Sequence, residues 1–354
     1  MSHDQQPPDE EEREFPPTSG PRLSVVIPAH NSSTTLTESV RAVVDAAGPF
    51  DEIIIADDGS TDGCVAALDQ LLLGSVKVVT SPRNIGKGPI RNLGVESSTG
   101  EILVFVDSDV ALERSALERI RAAFTSDPDR VALIGSYDDH PGDPGLVSQY
   151  RNLLHHHTHQ TRGETATHFW TGIGAIRRDV FIEMGGLDTR RWARHLEDVE
   201  FGHRLIDAGH TIDVLPEIRG THYKRFTVRS MVEVDLWHRA VPWSHLMLAD
   251  GLRIDHFVVS PAQVLSGVFV AVLIVSLVLT PLVPTAAWVA LASLAAFIAV
   301  NARLWRTLAS ARGLRFAVLC IPLHLLETTV SGLGVVIAVG QRLRRTLLPS
   351  RRSG

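Results

Sequence analysis

Two short acidic segments carry the clearest chemistry in this 354-residue chain. Asp107-Ser108-Asp109 follows the apolar run Ile102-Leu103-Val104-Phe105-Val106, and Asp57-Asp58-Gly59-Ser60 follows Ile53-Ile54-Ile55-Ala56. Carboxylates gathered at two strand ends repel one another and raise each other's pKa unless a counter-charge intervenes. A divalent cation supplies one. Aspartate oxygens suit Mg²⁺ or Mn²⁺, and Mg²⁺ is commonly held by one or two carboxylates together with substrate phosphates. The pattern points to a metal–diphosphate site. A third acidic pair, Glu197-Asp198, precedes Phe201 and Leu205 at helical spacing. It therefore falls in the first turn of a helix, where the dipole favours negative charge and keeps Asp198 ionised, ready to take a proton as a general base.

These residues need elements to bring them together. Apolar runs at 23–28, 53–56, 76–79 and 102–106 alternate with helical patterns at 32–47 and 88–98. Continuous β-branched runs between helices predict an α/β fold with a mainly parallel central sheet covered on both faces. In such sheets ligands bind outside the carboxyl ends of the strands, where both aspartate segments lie. No Gly-x-Gly-x-x-Gly follows the first strand, no Gly-x-x-x-x-Gly-Lys-Ser/Thr occurs, and Gly-x-Ser-x-Gly is missing. Dinucleotide-dependent oxidoreductases, P-loop enzymes and serine hydrolases of that type are disfavoured.

The charge is unevenly spread. The net −6 divides into −5 on residues 1–20, −9 on 21–256 and +8 on 257–354, where nine arginines face Glu327 alone. Mean hydropathy of +0.09 with 21% charged residues argues against a disordered chain, and a pI near 6.2 against a nucleic-acid binder. Two cysteines, Cys64 and Cys320, exclude a disulfide scaffold and a cysteine-rich zinc site. Residues 262–282 form an uncharged apolar run long enough to cross about 30 Å of hydrocarbon, and 285–301 form a second uncharged run, with Pro281 and Pro284 marking the turn between them. Arg303, Arg306, Arg312 and Arg315 follow the second run, so the positive-inside rule puts that loop, and residues 1–256 with it, in the cytosol of a multi-pass protein of the cell membrane. The acidic, proline-rich first 20 residues do not read as a signal peptide.

A third apolar stretch, 316–341, contains Pro322, His324 and Glu327 and ends in arginines at 342, 344, 345, 351 and 352. One simple crossing would place those arginines outside, against the rule; a re-entrant or broken hairpin would keep them inside. Membrane-depth Glu327 and His324 are costly and face the protein, an acceptor site or the interface. Residues 228–257, with Trp237 and Trp243, read either as an interfacial amphipathic helix or as the closing helix of the domain. The resulting division is an acidic tail (1–20), a catalytic domain (21–227), a collar (228–257), a membrane domain (258–345) and a basic tail (346–354).

Ser24-Val25-Val26-Ile27-Pro28-Ala29-His30-Asn31, Asp57-Asp58-Gly59-Ser60-Thr61-Asp62, Asn84-Ile85-Gly86-Lys87-Gly88 with Arg91-Asn92, and Asp107-Ser108-Asp109 occur in that order. Gly172-Ile173-Gly174, Gly185-Gly186-Leu187-Asp188 and His195-Leu196-Glu197-Asp198 follow. Over about residues 22–225 this ordered set resembles the inverting family 2 glycosyltransferases of GT-A fold, many of which carry a C-terminal membrane anchor. The resemblance implies that Pro28, Ala29, Asp57, Asp58, Lys87, Arg91 and Asp107 serve the nucleotide, that Asp107 and Asp109 bind Mg²⁺ or Mn²⁺, and that Asp198, beside Glu197, is the base. It implies an acceptor contact for Trp170 and Gly172.

Many processive members carry Gln-x-x-Arg-Trp after the base. Here Thr221-His222-Tyr223-Lys224-Arg225-Phe226 stands instead, which puts processivity in doubt. His222 becomes a candidate third metal ligand or diphosphate contact, and Lys224 and Arg225 candidates to neutralise a leaving diphosphate. Among the histidines at 155–159 only His155 and His159 share a helix face, so a solvated or acceptor-facing helix is expected rather than a second metal site. The expectation is a metal-dependent, hexosyltransferase-like enzyme using a nucleotide-sugar donor and a lipid or lipid-linked acceptor. The alternatives are elongation of a polysaccharide or soluble glycan, and a catalytically silent nucleotide-binding scaffold.

Overall fold

The computed structural model describes residues 20–190, 192, 195–249 and 259–347. Of the expected segments, the acidic tail is described only at residue 20, the collar only to 249 and the basic tail only at 346–347; residues 1–19, 191, 193–194, 250–258 and 348–354 lie outside the described residues. Nine strands form one sheet: β1 (Leu23–Ala29), β2 (Glu52–Asp57), β3 (Lys77–Thr80), β4 (Ile102–Val106), β5 (Val110–Leu112), β6 (Ala132–Tyr137), β7 (Thr165–Ala166), β8 (Ile173–Arg177) and β9 (Ile212–His222). The domain's helices are α1 (Leu36–Ala46), α2 (Gln70–Ser75), α3 (Lys87–Glu96), α4 (Ala116–Ser126), α5 (Leu146–Thr161), α6 (Arg178–Glu183) and α7 (Glu197–Asp207). The collar is α8 (Val228–Glu233), a π-helical segment (Val234–Ala240) and α9 (Val241–Ala249). The membrane part comprises α10 (Pro261–Leu279), α11 (Ala286–Val300), α12 (Ala302–Arg312) and α13 (Leu314–Leu347).

The strand order is β3-β2-β1-β4-β8-β6-β9-β5, with β7 on β9. The first half is parallel, and its four strands coincide with the apolar runs of the sequence. Every side chain of β4 is buried, as expected of a strand covered on both faces. One core cluster, on the α1 and α4 face, takes Val25, Ile27, Val104 and Val106; the other takes Val26, Leu103 and Phe105 with Phe169, Phe181 and Phe201. The second half is mixed: β8 runs antiparallel to β4 and β6, and β5 antiparallel to β9. Sequence periodicity did not reveal it, because β5 and β7 are three and two residues long.

The catalytic domain and the helices below it share a core. Tyr150 and Leu153 of α5 pack with Met231 of α8, Leu304 and Leu308 of α12, and Ala317, Cys320 and Leu323 of α13. At its centre is Arg151, 1% exposed, which donates to Asp235 Oδ1 at 2.8 Å and to Glu327 Oε1 at 2.9 Å. The Tyr150 hydroxyl donates to Glu327 Oε2 and lies 2.8 Å from His324 Nδ1. His324 Nε2 is 3.2 Å from Asn301 Oδ1, and Asn301 Nδ2 donates to Ser266 Oγ at 2.8 Å. Glu327 and His324 therefore face the protein, because each finds a partner there that hydrocarbon does not offer.

The third apolar stretch, read from sequence either as one crossing or as a broken hairpin, is not broken. It is one continuous helix, α13, that runs through Pro322. The second apolar run bends: α11 turns by 65° into α12. Two helices, Pro261–Leu279 and Leu314–Arg344, are long and apolar enough to cross a membrane. Removing one partner of a buried ion pair typically costs about 3–5 kcal/mol, because the remaining charge stays buried. Glu327→Ala is accordingly expected to lower the unfolding temperature of the detergent-solubilised full chain clearly; an unchanged midpoint would contradict the structural role given to this pair.

Candidate active site

The acidic segments do meet. β1, β2 and β4 are adjacent and parallel, so their carboxyl ends bring Pro28, Ala29, Asp57, Asp58, Asp107 and Asp109 to one edge of the sheet. Asp57 Oδ1 accepts from the Ser60 N–H at 3.0 Å. Asp58, 3% exposed, accepts from the N–H groups of Ile85 and Gly86 at 2.6 and 2.9 Å. It thereby holds the turn that opens α3, and so sets where Lys87 and Arg91 stand.

Arg91 is the link across the cleft. Its side chain is 2% exposed, and one N–H donates to Asp107 Oδ1 at 2.6 Å while the other donates to Glu197 Oε1 at 2.8 Å. A planar guanidinium can reach two carboxylates on different elements at once. Burial would lower its pKa, but Asp107, Glu197 and Asp198 raise it, so it stays charged. The expected nucleotide contact is thus engaged by protein: Arg91 joins the Asp-x-Asp turn to the start of α7.

Glu197 and Asp198 occupy the first turn of α7, as the spacing predicts. The chain approaches closely here: a Cβ on Gly202 would lie 2.4 Å from the His168 Cα, and the Phe169 N–H donates to the Asp198 carbonyl at 3.1 Å. Burial, reinforced by Asp198, pushes the Glu197 carboxyl up to about 7. Asp198 is also raised, by burial first, against the pull of Arg91, Lys87 and the Val199 N–H, which donates to its Oδ1 at 2.9 Å. The helix dipole is therefore not the governing influence on Asp198: desolvation outweighs it, and a raised carboxylate is a stronger base.

Asp109 and His222 are brought together by β5 and β9, where Val110 pairs with His222 and the Tyr223 N–H donates to the Asp109 carbonyl at 2.8 Å. Asp109 Oδ2 and His222 Nε2 are 3.5 Å apart. Burial opposes ionisation of Asp109, but His222, Lys224 and Lys87 overcome it and hold the carboxyl well below its ordinary range. His222 is buried, not a surface histidine: Tyr137 stacks on it at 4.3 Å with 7° between planes, and Asn152 Oδ1 pairs with its Nδ1. That pairing turns Nε2 toward Asp109. Sequence reasoning missed Tyr137 and Asn152, which carry no motif and reach the site only through β6 and α5.

Ligands about 2.1 Å from one octahedral ion sit about 3 Å apart, so one oxygen and one imidazole nitrogen at this spacing suit a shared Mg²⁺ or Mn²⁺. No group of three or more such ligands occurs among the described residues. Lys224 and Arg225 are both exposed; the Lys224 charge acts on Asp109, whereas Arg225 lines a pocket with Asp143, Leu146 and Phe226. Trp170 is half-buried, packs against both core clusters and sits over Gly172, with Tyr137 at 4.8 Å and His159 at 4.5 Å. The histidine helix is not a solvated face. His156 Nδ1 is 2.8 Å from the Tyr137 carbonyl, His157 Nδ1 is 2.8 Å from Thr307 Oγ1, and His155 lies edge-on to Tyr137. Packing under the sheet recruited them, which a single helical wheel does not disclose.

Residues 24–185 match the sequence model of the family described as glycosyl transferase family 2. This stretch belongs to glycosyltransferase family 2. The chain is 27% identical over 219 residues to the probable glycosyltransferase YdaM of Bacillus subtilis, an alignment covering 55% of this chain and 49% of that protein. It is 24% identical over 214 residues to the glycosyltransferase AglE of Haloferax volcanii, covering 58% and 68%. The chain thus spans about half the length of YdaM. In fold it is similar to the mannosyltransferase PcManGT of Pyrobaculum calidifontis, solved in complex with GDP-Man and Mn²⁺. The TM-score is 0.55 and the identity 19%, over 92% of this chain and 88% of that one. The family 2 domain thus has an α/β GT-A-like fold with a mostly parallel central sheet. Arg91→Met leaves Glu197 buried and Asp107 part-exposed without their shared cation; a loss of about 3 kcal/mol is expected, read as a lower denaturation midpoint of the full chain.

Proposed function

We propose that this chain transfers a sugar, with inversion, from a nucleotide-sugar donor to a membrane-associated lipid or lipid-linked acceptor. The observation that carries the reading is the joining of Asp109–His222 and Asp198 to one cleft through the Asp107–Arg91–Glu197 bridge. In this reading Pro28, Ala29, Asp57 and Lys87 line the nucleotide side, with Asp58 fixing the turn that presents Lys87. Asp109 and His222 would hold Mg²⁺ or Mn²⁺, which when bound would neutralise the donor's diphosphate, while Asp107 Oδ1 is engaged by Arg91. Lys224 and Arg225 bring further positive charge toward the leaving group. Asp198, its affinity for a proton raised by burial, takes the proton from the acceptor hydroxyl, and Arg91 holds Glu197 and Asp107 in register with it.

The collar supports a membrane-associated acceptor. Leu196 and Val199, which flank the acidic pair, pack with Trp192 and with Trp243 and Leu246 of α9. His238 of the π-helical segment stacks on His195 at 4.5 Å, and Arg239 lies 6.0 Å from the Trp243 ring and 3.3 Å from His155 Nε2. The wall beside the proposed base is therefore built from the segment that leads to the apolar helices. Arginine placement on 303–315 puts the reaction on the cytosolic face.

Asp198→Asn is expected to abolish transfer while donor binding stays measurable; substantial turnover would sink the assignment. Asp109→Asn is expected to remove the Mn²⁺-dependent part of donor binding, measured by calorimetry with and without the ion. A donor screen with membrane extract, read by mass spectrometry, is expected to yield a glycolipid. A modified soluble glycan and no glycolipid with any donor would favour the elongating reading instead.

A further inference from the structure

The long helix α13 has the composition of a membrane span, but its packing runs the wrong way for one. Ala317, Cys320 and Leu323 lie against α5. One turn on, Glu327 reaches Arg151. A Cβ on Gly334 would lie 2.4 Å from the Ala240 Cβ of the π-helical segment. Near the far end, Gln341 Oε1 is 2.8 Å from His245 Nε2, and Arg342 donates to the Leu248 carbonyl. At 1.5 Å per residue, positions 317 and 342 are about 38 Å apart. The helix thus stays against the catalytic domain and its collar over a length greater than the hydrocarbon thickness. A span perpendicular to the bilayer would leave the domain after its first turns.

We infer that α13 lies in the plane of the membrane surface, beneath the catalytic domain, and that a lipid bilayer covers its outer side. That side is apolar: Leu314, Leu319, Leu333, Val336, Leu343 and Leu347 are exposed. Its ends are cationic, with Arg315 at the start and Arg342 and Arg344 at the finish, all exposed. The single charge between Arg315 and Arg342 is Glu327, which is turned inward. An apolar stripe bounded by arginines matches the acyl–headgroup boundary of an anionic leaflet. α12 shares this layer, since it bends away from α11 and buries Leu304 and Leu308 against α5 and α13.

The α10–α11 hairpin is then the element that leaves the layer. Ser266, near the start of α10, reaches Asn301 beyond the end of α11, and Asn301 reaches His324 of α13. The base of the hairpin rests on α13, while Leu282 at its tip is 81% exposed and Trp288 beyond it 73%. The in-plane helix also answers the orientation puzzle of the sequence. Both ends of α13 stay on the side of the catalytic domain, so Arg342 and Arg344 satisfy the positive-inside rule without a third crossing or a broken hairpin. This inference does not depend on the donor, the metal or the acceptor.

The test uses the full chain reconstituted in phosphatidylglycerol-containing vesicles, with nitroxide labels on Leu319→Cys, Leu333→Cys and Leu343→Cys in turn. These are exposed positions, while the native Cys64 and Cys320 are buried. Depth is read from the relative collision rates with oxygen and a water-soluble nickel chelate. The expected result is one common shallow depth, about 5–10 Å below the headgroups, for all three labels. Leu333 at mid-bilayer depth with Leu319 and Leu343 shallow would mean that α13 spans the membrane, and the inference is wrong. Labels shielded from both reagents would mean that protein, such as a second copy of the chain, covers the stripe, and this too overturns it.

Discussion

The structure depends on one guanidinium held between two carboxylates. Arg91 comes from α3, Asp107 from the end of β4, the next element in the chain, and Glu197 from the start of α7, 106 residues beyond Arg91. Arg91 and Glu197 are buried and Asp107 is part-exposed, and losing the guanidinium leaves the buried carboxylate uncompensated. The constraint propagates outward. Asp58 fixes the turn from which α3 departs, so it fixes Arg91; Gly202 lets α7 press against His168, so it fixes Glu197. The proposed base, Asp198, inherits its place from this lattice of contacts. Its raised affinity for protons comes from the same burial that makes the bridge necessary.

A second buried guanidinium repeats the device one layer down. Arg151 joins α5 to the π-helical segment and to α13, as Arg91 joins the sheet to α7. The two are not independent. α5 also supplies Asn152, next in sequence to Arg151, whose oxygen turns His222 toward Asp109. A shift of the membrane layer therefore reaches the Asp109–His222 pair through two adjacent residues of one helix. The collar makes a further connection, because Trp243 and Leu246 pack on the residues that flank Glu197 and Asp198. The site and the C-terminal helices are thus joined at both the Asp109–His222 pair and the acidic pair.

The parallel half of the fold was legible because its strands are buried on both faces and read as unbroken β-branched runs. The acidic segments were legible because they stand at the ends of those runs. What stayed hidden depends on pairing between distant segments. That His222 faces Asp109 follows from β5, a three-residue strand too short for a periodic signal. The histidines at 155–159 read as a solvated or acceptor-facing helix from helical spacing alone, whereas the cover supplied by Tyr137, Thr307 and Trp170 comes from elsewhere in the chain. Trp170, for which the resemblance implies an acceptor contact, packs against both core clusters while staying part-exposed, and its neighbours in sequence do not tell which part of the ring is covered. Arg91 was read as a nucleotide contact, and only the meeting of α3 with α7 reveals what it bridges.

Hydropathy misleads about α13 for a related reason. A window of apolar residues measures what a helix can tolerate, not which of its faces meets lipid. In α13 the inward face carries Cys320, His324, Glu327 and Gly334, each matched to a specific partner in α5 or the collar, or fitted against it. Those partners would have no reason to exist on a lipid-facing span, where a carboxylate and an imidazole are expensive. The polar residues that made the third stretch look irregular are thus the ones that fasten it to the domain. The apolar remainder needs cover, and a membrane surface provides it along the whole length at once.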